Sequence, residues 1–349
     1  MTDPAASLKI DTVVLYIALF CIIALGIRSM AYLVNILLVS VILTLMAIPV
    51  MERLRKKGLS DFTSAILIAL AACLCILILV VLVFYSYLIL VQGLPLYQEQ
   101  LNMRIAEITA FAGSNNALAG GISSTGIDLT TILQMVMSSA FGMGEALMYL
   151  FFIGVATFFM LLEAPQLPGR IQGVFMKDPE KLSEISRMSR YIIDFLIVRT
   201  ETNLVHGVLF GGSLWVMGVH AAVVWGLLTF LLGYIPYIGL IVAAIPAIFF
   251  AYIQFGVWGA VAVIGIVCVL NIVVENPVFS YLASRRFEIP ALIVLFSVIF
   301  WGWLLGIFGM LFSVPMTLMV LILFQCSDDL RKVNMLIGVS HLFESDPGR

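Results

Sequence analysis

The chain has 349 residues, of which 62% are hydrophobic and only 11% charged, and its mean hydropathy is +1.14. A soluble globular domain has about 45–50% apolar and about 25% charged residues, so this composition excludes that class and indicates an integral membrane protein. The net charge of −2 gives no strong field of one sign and no reason to expect a nucleic-acid partner. Five cysteines without a CxxC pair imply neither a disulfide framework nor a zinc site.

Apolar blocks in the first half of the chain predict four transmembrane helices. The first block is marginal against the roughly 20 residues that a crossing needs. A cleaved signal peptide is the alternative for that block, but Asp3 and Asp11 are atypical of a basic leader. Residues 1–91 are therefore predicted to be N-terminal transmembrane helices, with one more at 143–162. The four predicted helices cover 12–27, 31–51, 65–91 and 143–162.

The positions of the 18 Lys and Arg residues predict the orientation of the chain. They cluster in alternate connections and in the C-terminal tail, whereas only Arg28 and Arg104 lie in the intervening ones. By the positive-inside rule both termini are cytoplasmic and residues 92–142 are outside. That outer segment carries apolar residues at helical spacing and then a flexible run, which predicts an amphipathic helix and a loop.

A charged cytoplasmic segment follows the fourth predicted helix. Between residues 163 and 203, one apolar stripe faces a row of charged residues at spacings that allow pairing along a helix. This pattern predicts an amphipathic helix on the membrane surface or against a neighbouring chain.

The second half contains two long uncharged runs that are broken by glycine and proline. Between Glu201 and Glu275 lie 73 residues without Asp, Glu, Lys or Arg. Because the chain returns to the cytoplasm after each run, we predict a bundle at 204–327 with two broken or re-entrant hairpins, followed by a cytoplasmic tail at 328–349. The fold class is then all-α and multi-pass, with about eight membrane segments. The predicted hinge residues are Gly233, Pro246, Gly302, Gly306, Gly309 and Pro315.

The few polar residues of this bundle are the candidates for solute binding or translocation. Asn271 and Glu275 are four residues apart and, with Asn276, predict a polar patch for a hydroxylated ligand or a proton. The alternative is that Glu275 ends a helix at the cytoplasmic surface beside Arg285 and Arg286.

The break itself offers a second group: Tyr234, Pro236, Tyr237 and Gly239. Freed backbone groups and two phenols there would face a cavity, or the segment is a packed kink. His206 and His220 more often fit interface or core positions than proton sites.

No enzyme motif is present in the sequence: GxSxG, HExxH, a P-loop and a strand-associated GxGxxG are all missing. We therefore predict a non-enzyme without a cofactor or metal, and a secondary carrier or passive pore instead of an ATP-driven pump.

Four motifs in chain order resemble the autoinducer-2 exporter family. They are the run Phe159 to Gly169, Trp225-Gly-Leu-Leu228, Tyr234 to Gly239 with Ala243 to Ala247, and Phe300 to Pro315. The resemblance implies a homopentameric carrier of the bacterial inner membrane that exports autoinducer-2, a small polar signal of quorum sensing. Other members of that family are linked to sodium/proton exchange.

Three functions follow as hypotheses. The first is export of a small polar solute by alternating access around the two broken hairpins. The second is a sodium/proton antiporter, with Glu275 as the titrating group, or an ion channel. The third is a membrane scaffold that transports nothing. The expected partners are the solute, a coupling proton or sodium ion, membrane lipid and further copies of the chain.

Overall fold

The computed structural model describes residues 10–111, 143–174, 179–236, 238–277 and 290–325. Within these ranges every regular element is a helix, which confirms the all-α prediction. Four stretches are long and apolar enough to cross a membrane, and four shorter apolar helices accompany them. About eight membrane segments were predicted, and four of the described helical stretches reach full crossing length. These four are Ala31–Lys56, Asp61–Leu82, Leu147–Arg170 and Gly239–Glu275.

The N-terminal half contains helices that are longer than the sequence predicted. Helix α3 has 51 residues, roughly 76 Å at 1.5 Å per residue, against a hydrocarbon core of about 30 Å. The outer amphipathic helix expected after residue 91 is therefore the second half of α3, and the expected loop at 112–142 lies outside the described residues. The helices are α1 Ile10–Ser29, α2 Ala31–Lys56, α3 Asp61–Phe111 and α4 Met143–Glu163.

Helices α2 and α4 pack closely through small and polar residues. Ser40 donates from Oγ to the carbonyl of Ile36 at 2.7 Å and lies 3.1 Å from the carbonyl of Ile153 on α4. Thr44 donates in the same way to Ser40, at 2.7 Å. Because no water can satisfy such hydroxyls in lipid, their bonds to the backbone make them compatible with a membrane helix.

A single long helix links the charged segment to the membrane bundle. After a 3-10 turn at Ala164–Gln166 and a short helix, α5 Leu167–Val174, helix α6 runs from Pro179 to Val216 without a break. The amphipathic segment expected up to residue 203 and the start of the bundle are thus parts of one helix.

Helix α7 Ala222–Leu232 and helix α8 Gly239–Leu270 follow, and α8 reverses direction at Gly256. Gly256 has φ 70° and ψ −158°, which is not helical. A Cβ on Gly259 would lie 2.5 Å from the carbonyl oxygen of Ala251, an approach that a continuous helix cannot make. Helix α8 is therefore a hairpin whose second arm leads into a π-helical turn at Asn271–Glu275.

The last described segment is a second hairpin, made of α9 Ala291–Leu305, α10 Ile307–Leu311 and α11 Ser313–Gln325. Gly306 turns the chain with φ 68° and ψ −146°, close to the values at Gly256. Trp301 donates from its indole to Thr317 at 2.9 Å, so the residues on either side of the turn lie side by side.

The C-terminal half of α3 packs onto the tip of the α8 hairpin. Tyr97 and Leu101 form a buried cluster with Ile253, and Tyr97 lies edge-on to His220 at 5.3 Å. A Cβ on Gly256 would meet the guanidinium of Arg104 at 3.2 Å. Burial raises the pKa of the Tyr97 phenol.

Candidate functional site

The helical chain is interrupted between the end of α7 at Leu232 and the start of α8 at Gly239. Beside the native Asn203 there is no room for a side chain at Gly233, because a Cβ there would lie 2.6 Å from Oδ1 of Asn203 on α6. Gly239, the first residue of α8, packs directly against the carbonyl of Leu232, so only glycine fits there too. The interruption is thus a compact turn that is held against α6.

Arg199 of α6 joins this interruption to the end of the α8 hairpin. Its Nε donates to the carbonyl oxygen of Gly233 at 3.0 Å, and Nη2 donates to the same oxygen. Its Nη1 lies 3.0 and 3.2 Å from the two carboxylate oxygens of Glu275. The side chains of Arg199 and Glu275 are 13% and 18% exposed, so water screens this ion pair little.

The same contact shows that α8 must be a hairpin. As a continuous helix its 32 residues would separate its ends by roughly 48 Å. Arg199 nevertheless bonds both to Gly233, which precedes α8, and to Glu275, which follows it.

Tyr234 makes a second link from the interruption to α6. Its hydroxyl lies 2.6 Å from Oγ1 of Thr200, which also donates to the carbonyl of Leu196 at 2.6 Å. The Tyr234 ring packs against Phe230 and, at 6.0 Å, against Phe312 of the second hairpin. The interruption therefore contacts both α6 and the second hairpin.

The neighbours of these residues place the ion pair level with the middle of α2. Leu196, one turn from Thr200, belongs to a buried cluster with Ile42, which lies near the middle of the 26-residue α2. Phe312 packs with Ile36 and Val39 of α2. Arg199 and Glu275 are therefore level with the middle of α2, a helix long and apolar enough to cross a membrane, and far from its basic end at Lys56.

The structure separates the residues that the sequence grouped with Glu275. Glu275 turns towards α6, whereas Asn271 and Asn276 are exposed on the outside of the hairpin. The cause is local: Asn271–Glu275 form a π-helical turn, in which spacings differ from those of an α-helix. The alternative partners considered for Glu275, Arg285 and Arg286, lie outside the described residues.

The remaining predicted residues fall as follows. Pro236 and Gly239 lie at the interruption, and Tyr237 lies outside the described residues. Gly306 is the turn of the second hairpin. Pro246, Gly302, Gly309 and Pro315 are inside helices.

Five residues of this region were missed by sequence reasoning: Arg199, Thr200, Asn203, His206 as a site residue, and Thr229. Arg199, Asn203 and His206 follow the 0, 4, 7 spacing of one helix face, which was the available signal. The signal is weak because Arg199 also fits the charged segment that ends at Glu201. His206 and Asn203 are 3% and 1% exposed, so α6 carries polar groups into the core.

Gly256 is a sixth omission, and the second hairpin contained the signal for it. Gly256-Val-Trp-Gly259 and Gly306-Ile-Phe-Gly309 share the pattern glycine, apolar, aromatic, glycine. In each case the second glycine packs on the carbonyl of the residue five positions before the first, Ala251 or Trp301. The two hairpins therefore turn by the same local structure.

The site has the chemistry of a polar junction within apolar surroundings. Among the described residues, no group of three or more His, Cys, Asp and Glu side chains is arranged to hold a metal ion. What the arrangement offers is one neutralised ion pair, a phenol, and several uncharged donors and acceptors.

Comparison with known proteins agrees with this picture. The family model described as "AI-2E family transporter" matches residues 13–327. The chain is 34% identical over 194 residues to "AI-2 transport protein TqsA" of Escherichia coli K12, a match that spans 56% of each protein. It is 29% identical over 341 residues to a "Putative transport protein" of Haemophilus influenzae, covering 95% of this chain and 97% of that one. "Putative transport protein YhhT" of Escherichia coli is 22% identical over 327 residues.

Proposed function

The chain belongs to the AI-2E transporter family, and we propose that it is a secondary carrier that exports a small polar solute, such as autoinducer-2, by alternating access. The name of one relative, "AI-2 transport protein TqsA", supports this choice of solute, although that match spans about half of the relative. The multi-pass helical fold supports a membrane location.

The observation that carries the proposal is the ion pair between Arg199 and Glu275, which lies level with the middle of a helix long and apolar enough to cross a membrane. A charged side chain at the centre of a membrane helix costs at least about 2.5–3.5 kcal/mol, so such residues are typical of transport pathways. A pair that served only for stability would be replaceable by apolar residues at little cost.

The position of the pair suggests what it does. Arg199 holds the carbonyl of Gly233 on one side and the carboxylate of Glu275 on the other. It therefore fixes both ends of the α8 hairpin to α6, in a closed arrangement. In alternating access the interruption at 233–238 and the base of the hairpin would move away from α6, which opens the polar junction to one side of the membrane.

The test is solute flux in liposomes that contain the purified protein. We expect autoinducer-2 or a small polyol to cross faster than in empty vesicles, and Glu275→Gln to lower that rate at least tenfold. The matched control is Glu163→Gln, since Glu163 is an exposed residue at the end of α4. If wild-type vesicles transport no such solute faster than empty ones, the proposal is wrong.

A second candidate function, sodium/proton antiport, is favoured by one observation. Glu275 is an acidic side chain that is only 18% exposed and lies against Arg199, level with the middle of α2. Antiport predicts that sodium addition dissipates a pre-formed pH gradient in wild-type vesicles but not with Glu275→Gln. Gradient dissipation that is equal in both would exclude this role for Glu275.

We further propose that the protein lies in the bacterial inner membrane, with both termini in the cytoplasm, as a homo-oligomer of five chains. The Lys and Arg distribution supports the orientation. Only 6% and 11% of the residues are buried in the membrane-crossing stretches that begin in α3 and α4. The rest of their apolar surface is available to lipid and to neighbouring copies. Mass measurement of the detergent-solubilised complex tests the number of chains.

A further inference from the structure

Three buried polar atoms near the ion pair have no hydrogen-bond partner in the part of the chain that the structure describes. They are Nδ2 of Asn203, Nε2 of His206 and Oγ1 of Thr229. The three residues are 1%, 3% and 1% exposed, so the surrounding side chains seal them. Buried polar groups of proteins are nearly always paired, and three unpaired ones at one place call for an explanation.

The three side chains belong to one interface, between α6 and α7. Asn203 and His206 are one helical turn apart on α6, and Asn203 touches Gly233 at the end of α7. The helices approach so closely that a Cβ on Gly207 would lie 2.6 Å from the carbonyl of Gly226. Thr229 lies between Gly226 and Gly233 on α7, and hence opposite the turn from Asn203 to Gly207.

The chemistry of the group favours an uncharged ligand. A cation of the size of sodium prefers a cage of oxygen ligands, whereas the carboxylate of Glu275 is taken by Arg199. An anion would need a free positive charge, and the guanidinium of Arg199 is neutralised by the same contact. What remains is a carboxamide, an imidazole and a hydroxyl, which together donate and accept.

We propose that Asn203, His206 and Thr229 form the binding site for a neutral solute that carries several hydroxyl groups. The proposal deepens the transport function and rests on it. The solute would reach the site when the interruption at 233–238 moves away from α6, and its hydroxyls would then pair with the three atoms that this closed structure leaves unpaired.

Thr229→Val provides the sharpest test, because valine keeps the shape of threonine and removes only the hydroxyl. Its matched control is Thr202→Val: Thr202 is 5% exposed on the same helix as Asn203, and its hydroxyl already donates to the carbonyl of Val198 at 2.7 Å. Xylitol serves as the probe, and 1,5-pentanediol, with the same carbon chain and fewer hydroxyls, as its comparison.

We measure the KM of xylitol flux in vesicles, the Kd of xylitol for the purified protein by calorimetry, and the melting temperature in detergent. Thr229→Val should raise KM and Kd roughly three- to tenfold, the effect of one lost uncharged hydrogen bond. The melting temperature should stay equal or rise, because the variant removes a buried hydroxyl that has no hydrogen-bond partner among the described residues. Thr202→Val should leave KM and Kd unchanged, and 1,5-pentanediol should bind more weakly than xylitol.

The outcomes separate this inference from the transport function. Unchanged KM and Kd in Thr229→Val overturn the site while wild-type flux still supports transport. The proposed site is also wrong if the wild-type protein transports a cation but does not bind xylitol. Binding of xylitol that Thr229→Val weakens, without any flux in wild-type vesicles, supports the site and contradicts transport. Asn203→Leu checks the result at a second position and should raise Kd as well.

Discussion

At the scale of single residues, Arg199 joins segments that lie 34 and 76 residues further along the chain. Its guanidinium has a fixed fork of donors, which suits simultaneous bonds to the Gly233 carbonyl and the Glu275 carboxylate. A lysine has one charged group on a flexible stem and could hold only one of them well. The identity of this residue therefore matters as well as its charge.

Removal of one partner of the pair should destabilise the protein strongly. Arg199→Met leaves Glu275 as an unpaired carboxylate that is largely buried, and such a loss typically costs about 3–5 kcal/mol. The double variant Arg199→Met with Glu275→Leu removes both charges and should recover most of the melting temperature in detergent. If the double variant is no more stable than Arg199→Met, the pair is not the source of the effect.

The turn at Gly306 can be tested through its backbone conformation. Gly306 has φ 68° and nothing lies within 4 Å of the position where its Cβ would be. Gly306→Ala should thus cost about 1–3 kcal/mol through backbone strain alone.

The control is Gly265→Ala, since Gly265 lies inside α8 and also has open space around it. There alanine should stabilise by about 0.5–1 kcal/mol. Melting temperatures of both variants in detergent check the pair of expectations, and an equal response at the two positions would contradict the turn at Gly306.

The sequence at this scale revealed Glu275 but not its partner. An acidic residue after 73 uncharged ones is conspicuous, whereas Arg199 stands two residues from Glu201 at the end of a charged segment. Local pattern cannot tell which charges at a segment boundary enter the membrane. The pairing is a tertiary contact across 76 residues, and spacing rules reach only a few residues along a helix.

At the scale of elements, α6 and α7 form the tightest helix pair around the site. Gly207, Gly211 and Gly226 allow the two backbones to touch, as in membrane helix pairs with small residues at the interface. This contact holds Thr229 and Gly233 against the polar face of α6. The polar junction therefore depends on a stripe of small residues that carry no chemistry themselves.

Gly226→Ala should separate these helices and destabilise the protein. Its Cβ would lie 2.6 Å from the carbonyl oxygen of Gly207, and a backbone atom cannot move aside as a flexible side chain can. Overpacking of this kind costs about 1–3 kcal/mol. Gly212→Ala is the control, because nothing lies within 4 Å of its Cβ position. A thermal melt in which both variants resemble the wild type would contradict the close contact.

The elements also show what a breaker pattern can and cannot predict. The cluster of glycine and proline from Gly233 to Gly239 pointed to an interruption of the helix, and the chain does leave the helix there. Pro246 pointed to another, but it lies inside the first arm of α8, which instead reverses at the single glycine Gly256. Comparison of Gly256–Gly259 with Gly306–Gly309 would have found that turn, since the two share one pattern.

At the scale of the whole molecule, two hairpins meet α6 and α2 around one buried polar junction. Composition alone indicated the membrane class, because 62% hydrophobic residues is far above the roughly 45–50% typical of soluble domains. Composition does not reveal that Arg199 pairs with Glu275, and the residues that neighbour this pair pack against Ile42 and Phe312. The account therefore rests on movement of the interruption at 233–238 relative to α6.

A reversible cross-link between α6 and the interruption tests that movement most directly. A Cβ on Gly233 would lie 2.8 Å from Cγ of Asn203, so cysteines at both positions are within reach of a disulfide. The five native cysteines are first replaced by serine or alanine, and flux is measured at saturating solute.

We predict that oxidation of Asn203→Cys with Gly233→Cys lowers flux to the level of empty vesicles and that a reductant restores it. The flux through each single variant should be the same with and without the oxidant. Undiminished flux through protein that is fully cross-linked would contradict the account.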